Sequence, residues 1–270
     1  MIDALQFEFM QNALAAGLLA SLICGIMGTL VIVNRIVFLS GGIAHASYGG
    51  IGLSLFFGWP FLAGTMGFAI AAAVLMAAIT LNARHRSDTI IGVVWAIGMA
   101  FGIVLLDLTP GYNVDLMSYL FGSILTVPTS DLAIMLVLAT VICGLAFVFY
   151  QDILAVSYDE EFALIRGVPV KTIYYLMIVL LAITIVMVIQ VVGLILIIAL
   201  LTIPPYIMER YAKSLFQMMI GASLIGAAFT LIGLSLSYQF NLTSGATIIL
   251  VAGSGFFIVL VFRYLYKIWS

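Results

Sequence analysis

One histidine lies inside an apolar stretch of this chain, among residues with little or no side chain. The segment 40–52 reads SGGIAHASYGGIG, so His45 is one helical turn from Gly41 and one from Gly49. In a helix these glycines would flank the imidazole, and we expect open space around it. An ionisable residue within an apolar span indicates a functional site, and imidazole is the commonest metal ligand. A neutral histidine bonded to a neighbouring helix is the alternative.

Small residues also recur every four positions in the same segment, at Gly42, Ala46 and Gly50. This spacing lets helix backbones approach closely. Gly98 and Gly102 repeat the spacing later, where it favours packing over a pore. The candidates for lining a pathway or for close packing are therefore Gly41, Gly42, Ala46, Gly49 and Gly50.

The longest polar interval is 151–171, QDILAVSYDEEFALIRGVPVK. Asp159, Glu160 and Glu161 precede a short apolar run, and Arg166 and Gly167 follow it. The order predicts a short helix with an acidic first turn, a basic end and a cap at Gly167, as the helix dipole favours. It is either a surface helix that docks into a partner or an ordinary solvated loop.

The composition is that of an integral membrane protein. Of the 270 residues, 65% are hydrophobic and only 7% are charged, which is too few charged residues to cover a water-facing surface. A net charge of −2 without a basic stripe excludes nucleic-acid binding. Cys24 and Cys143 stand alone, so neither a disulfide framework nor a zinc cluster is expected. No nucleotide-binding motif occurs, so another chain must hydrolyse ATP if ATP powers transport.

We predict an all-α polytopic transmembrane bundle of eight or nine spans, forming one domain over 1–270. Spans need about 20 apolar residues, and the first apolar run is expected to be a permanent span because no positive residue precedes it. The uncharged candidates are 13–33, 36–57, 61–81, 89–106, 132–150, 214–236 and 246–262. Segment 116–127 is too short to cross and is interpreted as a re-entrant or surface helix.

A long uncharged stretch follows Lys171 and ends at Glu209. One helix over 172–203 would be about 48 Å long, more than one crossing. We predict a break near Gln190–Gly193, with the second, shorter span terminated by Pro204 and Pro205. A single tilted helix followed by a half-helix is the alternative.

Lysine and arginine placement predicts the orientation, because cytoplasmic loops retain these residues. With nine crossings and the N-terminus outside, all basic residues fall on the cytoplasmic side: Arg35, Arg84, Arg86, Arg166, Lys171, Arg210, Lys213, Arg263 and Lys267. The same arrangement places five acids outside: Asp3, Glu8, Asp107, Asp115 and Asp131. His85, in the loop with Arg84 and Arg86, is expected to be an interfacial residue. Eight crossings would move the N-terminus to the other side.

Five ordered blocks resemble the permease subunits of metal-ion ABC importers, the ABC-3 family, which take up zinc, manganese or iron. The blocks are SGGIAHASYGGIG at 40–52, RSDTIIGVVWAIGMAFGI at 86–103, DLMSYLFGSIL at 115–125, DEEFALIRGVPVKTIYYL at 159–176 and VVGLILIIALLTIPP at 191–205. The resemblance covers nearly the whole chain. It implies a non-catalytic permease in the cytoplasmic membrane of a prokaryote.

The resemblance also implies partners and site residues. A pair of ATPase subunits, a second permease copy that forms a homodimer with this one and an extracytoplasmic metal-binding protein are expected, with no permanent cofactor. The block around 159–169 is similar to the coupling helix that contacts the ATPase, and the residues assigned to coupling are Asp159, Glu160, Ala163, Arg166 and Gly167. In many members an aspartate precedes the histidine by four residues, but here that position is Gly41. His45 is then a single metal ligand in the translocation pathway.

Zinc is the predicted cation, because imidazole suits it and the carboxylate expected for manganese is missing. Two other functions compete with import of a free ion. One is an ABC permease for a metal chelate, such as a siderophore or corrinoid. The other is a secondary carrier driven by an ion gradient, which would usually place carboxylates within the spans, and the predicted spans contain none.

Overall fold

The computed structural model describes residues 6–82, 87–110, 122 and 124–269. These ranges contain α-helices, a short 3₁₀ helix over Ile124–Thr126 and no strand. The helices in chain order are α1 (Glu8–Val33), α2 (Val37–Ala46), α3 (Tyr48–Phe57), α4 (Phe61–Asn82), α5 (Ser87–Asp107), α6 (Thr129–Val148), α7 (Tyr150–Tyr158), α8 (Glu160–Ile165), α9 (Val170–Val192), α10 (Leu194–Met208), α11 (Leu215–Phe240) and α12 (Ser244–Trp269).

Seven of the described helices are long and apolar enough to cross a membrane by length and composition. They are α1, α4, α5, α6, α9, α11 and α12. The pair α2 and α3, and the shorter apolar helix α10, are the further candidates. The prediction of an all-α, multi-pass membrane protein is therefore confirmed, and eight to nine spans is an approximate count.

The segment around His45 forms two helices rather than one. Helices α2 and α3 meet at Ser47, whose φ of −58° and ψ of −19° keep the backbone helical at the junction. The Ser47 hydroxyl donates to the Ala44 carbonyl at 2.6 Å. Such local bonding competes with the regular ladder and often bends a helix. Residues 37–57 together would still extend about 31 Å, the thickness of a hydrocarbon core.

The predicted break near Gln190–Gly193 is confirmed. Helix α9 ends at Val192 and α10 begins at Leu194. Gly193 between them has a φ of 86° and a ψ of 162°, a region open essentially to glycine alone. A residue with a side chain would be strained there, so the glycine defines where the two helices separate.

The prediction that Pro204 and Pro205 terminate the second helix is wrong, because both lie inside α10. A proline removes one backbone donor, yet membrane helices tolerate it where a neighbouring helix packs against the freed carbonyl groups. Gly28 of α1 lies against the Leu201 carbonyl and the Pro205 ring. The close approach of α1 therefore allows α10 to continue to Met208.

The described contacts group into two compact units, and each has its own packing. The first comprises the described residues within Met1–Val33, Ser118–Gly144 and Val191–Ser270. In it α1 packs on α10 and α11, and α12 packs on the same two helices. A Cβ on Gly25 would lie 2.6 Å from the Ser223 Cα, and the Ser21 and Thr230 hydroxyl oxygens are 3.1 Å apart. Small residues thus bring α1 against α11.

The second unit comprises the described residues within Asn34–Met117 and Leu145–Gln190. In it α2 and α3 pack against α4 and α5. A Cβ on Gly98 would lie 2.9 Å from the Ala46 Cα, and one on Gly50 would lie 2.6 Å from the Thr65 Cα. The two small-residue spacings read from the sequence therefore both serve close helix packing. The assignment of 1–270 to one domain stays a prediction.

Most of the predicted re-entrant segment 116–127 lies outside the described residues, as does the loop with Arg84, His85 and Arg86. The described part contains the 3₁₀ helix, with Ile124 buried. The Asn12 side-chain amide donates to the Val127 carbonyl at 3.2 Å, which holds this part against the start of α1. Whether the segment re-enters the membrane stays a prediction.

The packing of α5 on α3 predicts opposite effects for one substitution at two positions. A Cβ on Gly102 would lie 2.7 Å from the Tyr48 carbonyl carbon and 3.0 Å from the Gly49 Cα, whereas a Cβ on Gly92 would meet nothing within 4 Å. Gly102→Ala should reduce stability by roughly 1–3 kcal/mol, the usual effect of overpacking. Gly92→Ala should be neutral or slightly stabilising, because alanine is the better helix former.

Thermal unfolding of both variants in one detergent measures the difference. Equal unfolding midpoints for Gly102→Ala and Gly92→Ala would contradict the contact.

Candidate functional site

His45 lies in α2 with one face of its ring covered by Trp95 of α5. The ring centroids are 4.1 Å apart and the planes are inclined by 11°. The Trp95 indole donates to the Met99 sulfur at 3.0 Å, and Phe38 lies beside the indole at 6.1 Å between centroids. Stacking of this kind contributes about 0.5–1.5 kcal/mol. Trp95 therefore fixes the plane in which the imidazole presents its nitrogens.

The imidazole keeps one nitrogen without a hydrogen-bond partner. Nδ1 of His45 is buried and makes no hydrogen bond to any described residue, although the side chain as a whole is half-buried. Leaving a buried polar atom unpaired costs about 1–3 kcal/mol. The stack on Trp95 accounts for an aromatic ring at position 45, but it does not account for the nitrogen atoms of that ring. A passing cation or water molecule bound by His45 would relieve the cost.

The two glycine turns beside His45 differ in how much space they leave. A Cβ on Gly41 would meet nothing within 4 Å, as the sequence predicts. A Cβ on Gly49 would lie 2.6 Å from the Phe68 ring and 2.9 Å from the Gly98 carbonyl oxygen. The expectation of open space at both turns is wrong at Gly49, because α4 and α5 pack against that turn. Of the two turns, the one at Gly41 is therefore the open one.

Within the described residues, no group of three or more His, Cys, Asp or Glu side chains could hold a metal ion together. A resident metal normally takes at least three protein ligands. A lone imidazole binds weakly, and transit needs sites that the ion can leave. His45 alone would therefore hold a cation only weakly.

The polar interval after α6 folds into two short helices. Asp159 caps α8, and its carboxylate accepts from the Phe162 backbone N–H at 2.9 Å. The helix ends at Ile165. Gly167, two residues later, has a φ of 79°, and the Val168 N–H donates to the Ala163 carbonyl at 3.0 Å. This is a glycine-dependent C-terminal cap. The predicted short helix and its cap at Gly167 are confirmed.

Arg166 follows the last turn of α8 rather than lying in it. Its guanidinium carbon is 5.6 Å from the centroid of the Phe162 ring. An exposed cation–π contact contributes about 0.5–1 kcal/mol. Arg166 therefore steadies the exposed face of α8 as well as adding charge to it.

The residues assigned to coupling do different jobs in this segment. Ala163 is fully buried, and Asp159 and Gly167 form the two ends of α8, so these three shape the helix. The exposed apolar side chains are Phe162 at 50%, Leu164 at 58% and Ile165 at 85%. None of these exposed residues was predicted from the sequence to have a role. Apolar residues in an interval predicted to face the cytoplasm were the signal for them.

The acidic residues predicted to line the outer side are only partly described. Glu8 and Asp131 lie in the first turns of α1 and α6, and Asp107 ends α5. Asp3 and Asp115 lie outside the described residues. Because the described acids form no cluster that could hold a metal, a solvated negative rim is the simpler interpretation.

Comparison with known proteins matches almost the whole chain. The model of the ABC 3 transport family matches residues 6–263. A membrane protein of Synechocystis, named as uncharacterized, is 51% identical and the match covers 97% of this chain and 94% of the relative. The manganese transport system membrane protein MntC of Listeria monocytogenes is 34% identical, over 96% of this chain and 92% of the relative.

A solved structure agrees with these relatives. A chain of PsaBC from Streptococcus pneumoniae in complex with Fab is 36% identical and superposes with a TM-score of 0.86. The match covers 96% of this chain and 93% of that chain. With the family model matching 6–263 and relatives above 30% identity over nearly full length, the chain belongs to the ABC 3 transport family.

Proposed function

We propose that this chain is the permease of an ABC importer for a divalent transition-metal cation, and that the ion passes His45. The unpaired Nδ1 of His45, held by the Trp95 stack beside the open Gly41 side, carries the proposal. The relatives named as manganese transport proteins support the cargo class. As an ABC permease the chain is a non-catalytic subunit, and a separate ATPase partner supplies the energy.

The coupling surface in this proposal is the exposed face of α8. Phe162, Leu164 and Ile165 project from a short helix that is fixed at both ends, and such a surface fits an apolar groove of a partner. ATP binding in the partner pair would move α8 and so switch access to the ion. This is alternating access with the motor on another chain.

The identity of the cation is the finer part of the proposal. Imidazole without a carboxylate at Gly41 favours zinc. The relatives of Listeria and Streptococcus parasanguinis are named for manganese. The zinc prediction therefore stands against the names of relatives at 33–34% identity, and competition between the two ions in the uptake assay decides it.

The assembly and location follow the same proposal. The permease is expected in the cytoplasmic membrane of a prokaryote, paired with an identical copy and served by an extracytoplasmic metal-binding protein. The ATPase and substrate-binding protein are partners that an ABC importer needs. Mass measurement of the purified complex tests whether the two permeases are identical.

Two substitutions of His45 separate ligation from packing. His45→Phe keeps an aromatic ring for Trp95 but removes both nitrogens, and His45→Ala removes both ring and nitrogens. Both should lower ATP-dependent uptake of labelled zinc or manganese roughly tenfold or more, the scale on which metal-site partners act. His45→Phe should keep the thermal stability of the unsubstituted protein.

The assay uses proteoliposomes with the whole transporter and its binding protein. Unchanged uptake in His45→Phe would reassign the residue to packing. Uptake of intact metal chelates in place of free ions would contradict the cargo, and metal flux without ATP would contradict the importer.

The exposed face of α8 gives a prediction about the ATPase partner. Leu164→Arg with Ile165→Arg should release the ATPase, because two charges would enter an apolar contact. Gln151→Arg changes an exposed residue of α7 in the same interval and should leave the complex intact. Co-purification of the ATPase with each variant measures the effect. Equal recovery of the ATPase with the double variant and the control would contradict docking at α8.

Restoring a carboxylate at the open turn should strengthen metal binding. Gly41→Asp has room, since a Cβ at Gly41 meets nothing within 4 Å, and it adds an oxygen ligand one turn from His45. We expect tighter metal retention by the purified transporter and a shift of uptake preference toward manganese, which prefers carboxylate ligands. Gly92→Asp, at another open glycine, is the control. Identical metal retention by the two variants would contradict the role of the Gly41 turn.

A further inference from the structure

A shallow groove lies in the first unit, between α10 and α12. It is lined by Tyr206, Ile207, Arg210, Tyr211, Phe256, Val259, Leu260 and Arg263. The groove is partly open to its surroundings and encloses very little space. A molecule bound there would therefore lie along the surface of the two helices, with only a part of it between them.

The two helices present matched faces to this groove. On α12, Phe256, Leu260 and Arg263 are spaced four and three residues apart, which places them on one helical stripe. On the other side Tyr206 belongs to α10 and Arg210 to the turn that follows it. On both sides, following the chain from N- to C-terminus, the aromatic and aliphatic residues therefore come first and the arginine comes last.

Both arginines stand at the same end of the unit. Helix α11 returns the chain between α10 and α12, and α12 packs on both α10 and α11. The Tyr206 and Phe256 rings are 5.5 Å apart and form the apolar wall, and Arg210 and Arg263 follow them along the two chain segments. Lys/Arg placement predicts that this end faces the cytoplasm. The groove would then have its apolar residues toward the bilayer interior and its arginines toward the membrane surface. A phospholipid has the same order, with its acyl chains toward the interior and its phosphate at the surface.

The local charge favours an anion. Arg210, from the turn after α10, and Arg263 of α12 both line the groove, and none of the lining residues is acidic. Neither Arg210 nor Arg263 forms an ion pair with another described residue. Guanidinium groups bind phosphate oxygens in a bidentate manner, and tyrosines are frequent at the membrane interface. Basic pockets between membrane helices on the cytoplasmic side hold acidic lipid headgroups in general.

We infer that Arg210 and Arg263 bind the phosphate of an anionic phospholipid whose upper acyl chain lies against Tyr206, Phe256 and Leu260. The groove belongs to the first unit and His45 to the second, and the inference does not depend on the transported ion. Two arginines next to an apolar surface would bind a lipid better than free phosphate, because free phosphate has no apolar part to contact that surface. A metal cation would be repelled by both arginines.

The test counts lipids on the intact transporter. The permease in complex with its ATPase is purified in a mild detergent, titrated with phosphatidylglycerol or with phosphatidylcholine, and the bound lipid is counted by native mass spectrometry. The unsubstituted complex should retain phosphatidylglycerol in preference to phosphatidylcholine. Arg210→Gln with Arg263→Gln should weaken that retention roughly twenty- to thirtyfold, since each basic side chain near an anionic surface contributes about a fivefold factor.

A control with the same change of charge separates a site from general attraction. Lys171→Gln with Lys213→Gln removes two exposed positive charges outside the groove lining and should weaken retention less than about threefold. Arg210→Lys with Arg263→Lys keeps the charge but loses the bidentate geometry, so its retention should lie between that of the unsubstituted complex and that of the glutamine pair. Co-purification of the ATPase with the glutamine pair checks that this pair folds.

Three results would overturn the inference. Equal losses in the glutamine pair and the lysine control would mean a diffuse surface effect. Displacement of the lipid by inorganic phosphate at similar concentration would mean an anion site without lipid specificity. Separation of two permease copies in the glutamine pair, with unchanged lipid retention, would mean that the groove belongs to a protein interface.

Discussion

Close approach of helix backbones at small residues is the interaction on which this structure depends. Within a bilayer the hydrophobic effect does not drive helices together, so van der Waals contact between closely approaching backbones has to do so. Gly25 against Ser223 joins α1 to α11, and Gly98 against Ala46 joins α5 to α2. A side chain at either glycine would separate the helices. The shape of each unit is therefore determined by residues that carry almost no chemistry of their own.

The same contact positions His45, the proposed metal ligand. Trp95 precedes Gly98 by one helical turn on α5, and His45 precedes Ala46 on α2. Because Gly98 brings α5 to within backbone distance of Ala46, the indole lies flat on the imidazole at 4.1 Å. A one-turn slip of α5 along α2 would move the indole by about 5 Å. The orientation of His45 is thus a consequence of glycine packing more than of any polar contact.

Sequence patterns predicted what depends on neighbouring positions in the chain and missed what depends on a second helix. The cap at Gly167 and the break at Gly193 follow from local conformation, and both were predictable. The passage of α10 through Pro205 depends on Gly28 in α1, which no local pattern reveals. The filled turn at Gly49 likewise depends on Phe68, and the Trp95 stack depends on the register of α5. His45 could be selected by residue type, but which of its two glycine turns stays open could not.

The short connection between α8 and α9 bears on how a separate ATPase subunit could act on this chain. Helix α8 is fixed at both ends by Asp159 and Gly167, and the Ile173 N–H donates to the Pro169 carbonyl at 3.0 Å as α9 begins. Only two residues then separate the αL turn at Gly167 from α9, a continuous helix of 23 residues or about 35 Å. Because this connection is so short, a displacement of α8 would be passed to α9 with little loss. Helix α9 is about as long as the hydrocarbon core of a bilayer is thick. If α8 is the proposed docking surface, the short connection and the length of α9 would let a displacement at that surface be transmitted along one helix over the thickness of the hydrocarbon core, without a nucleotide site in this chain.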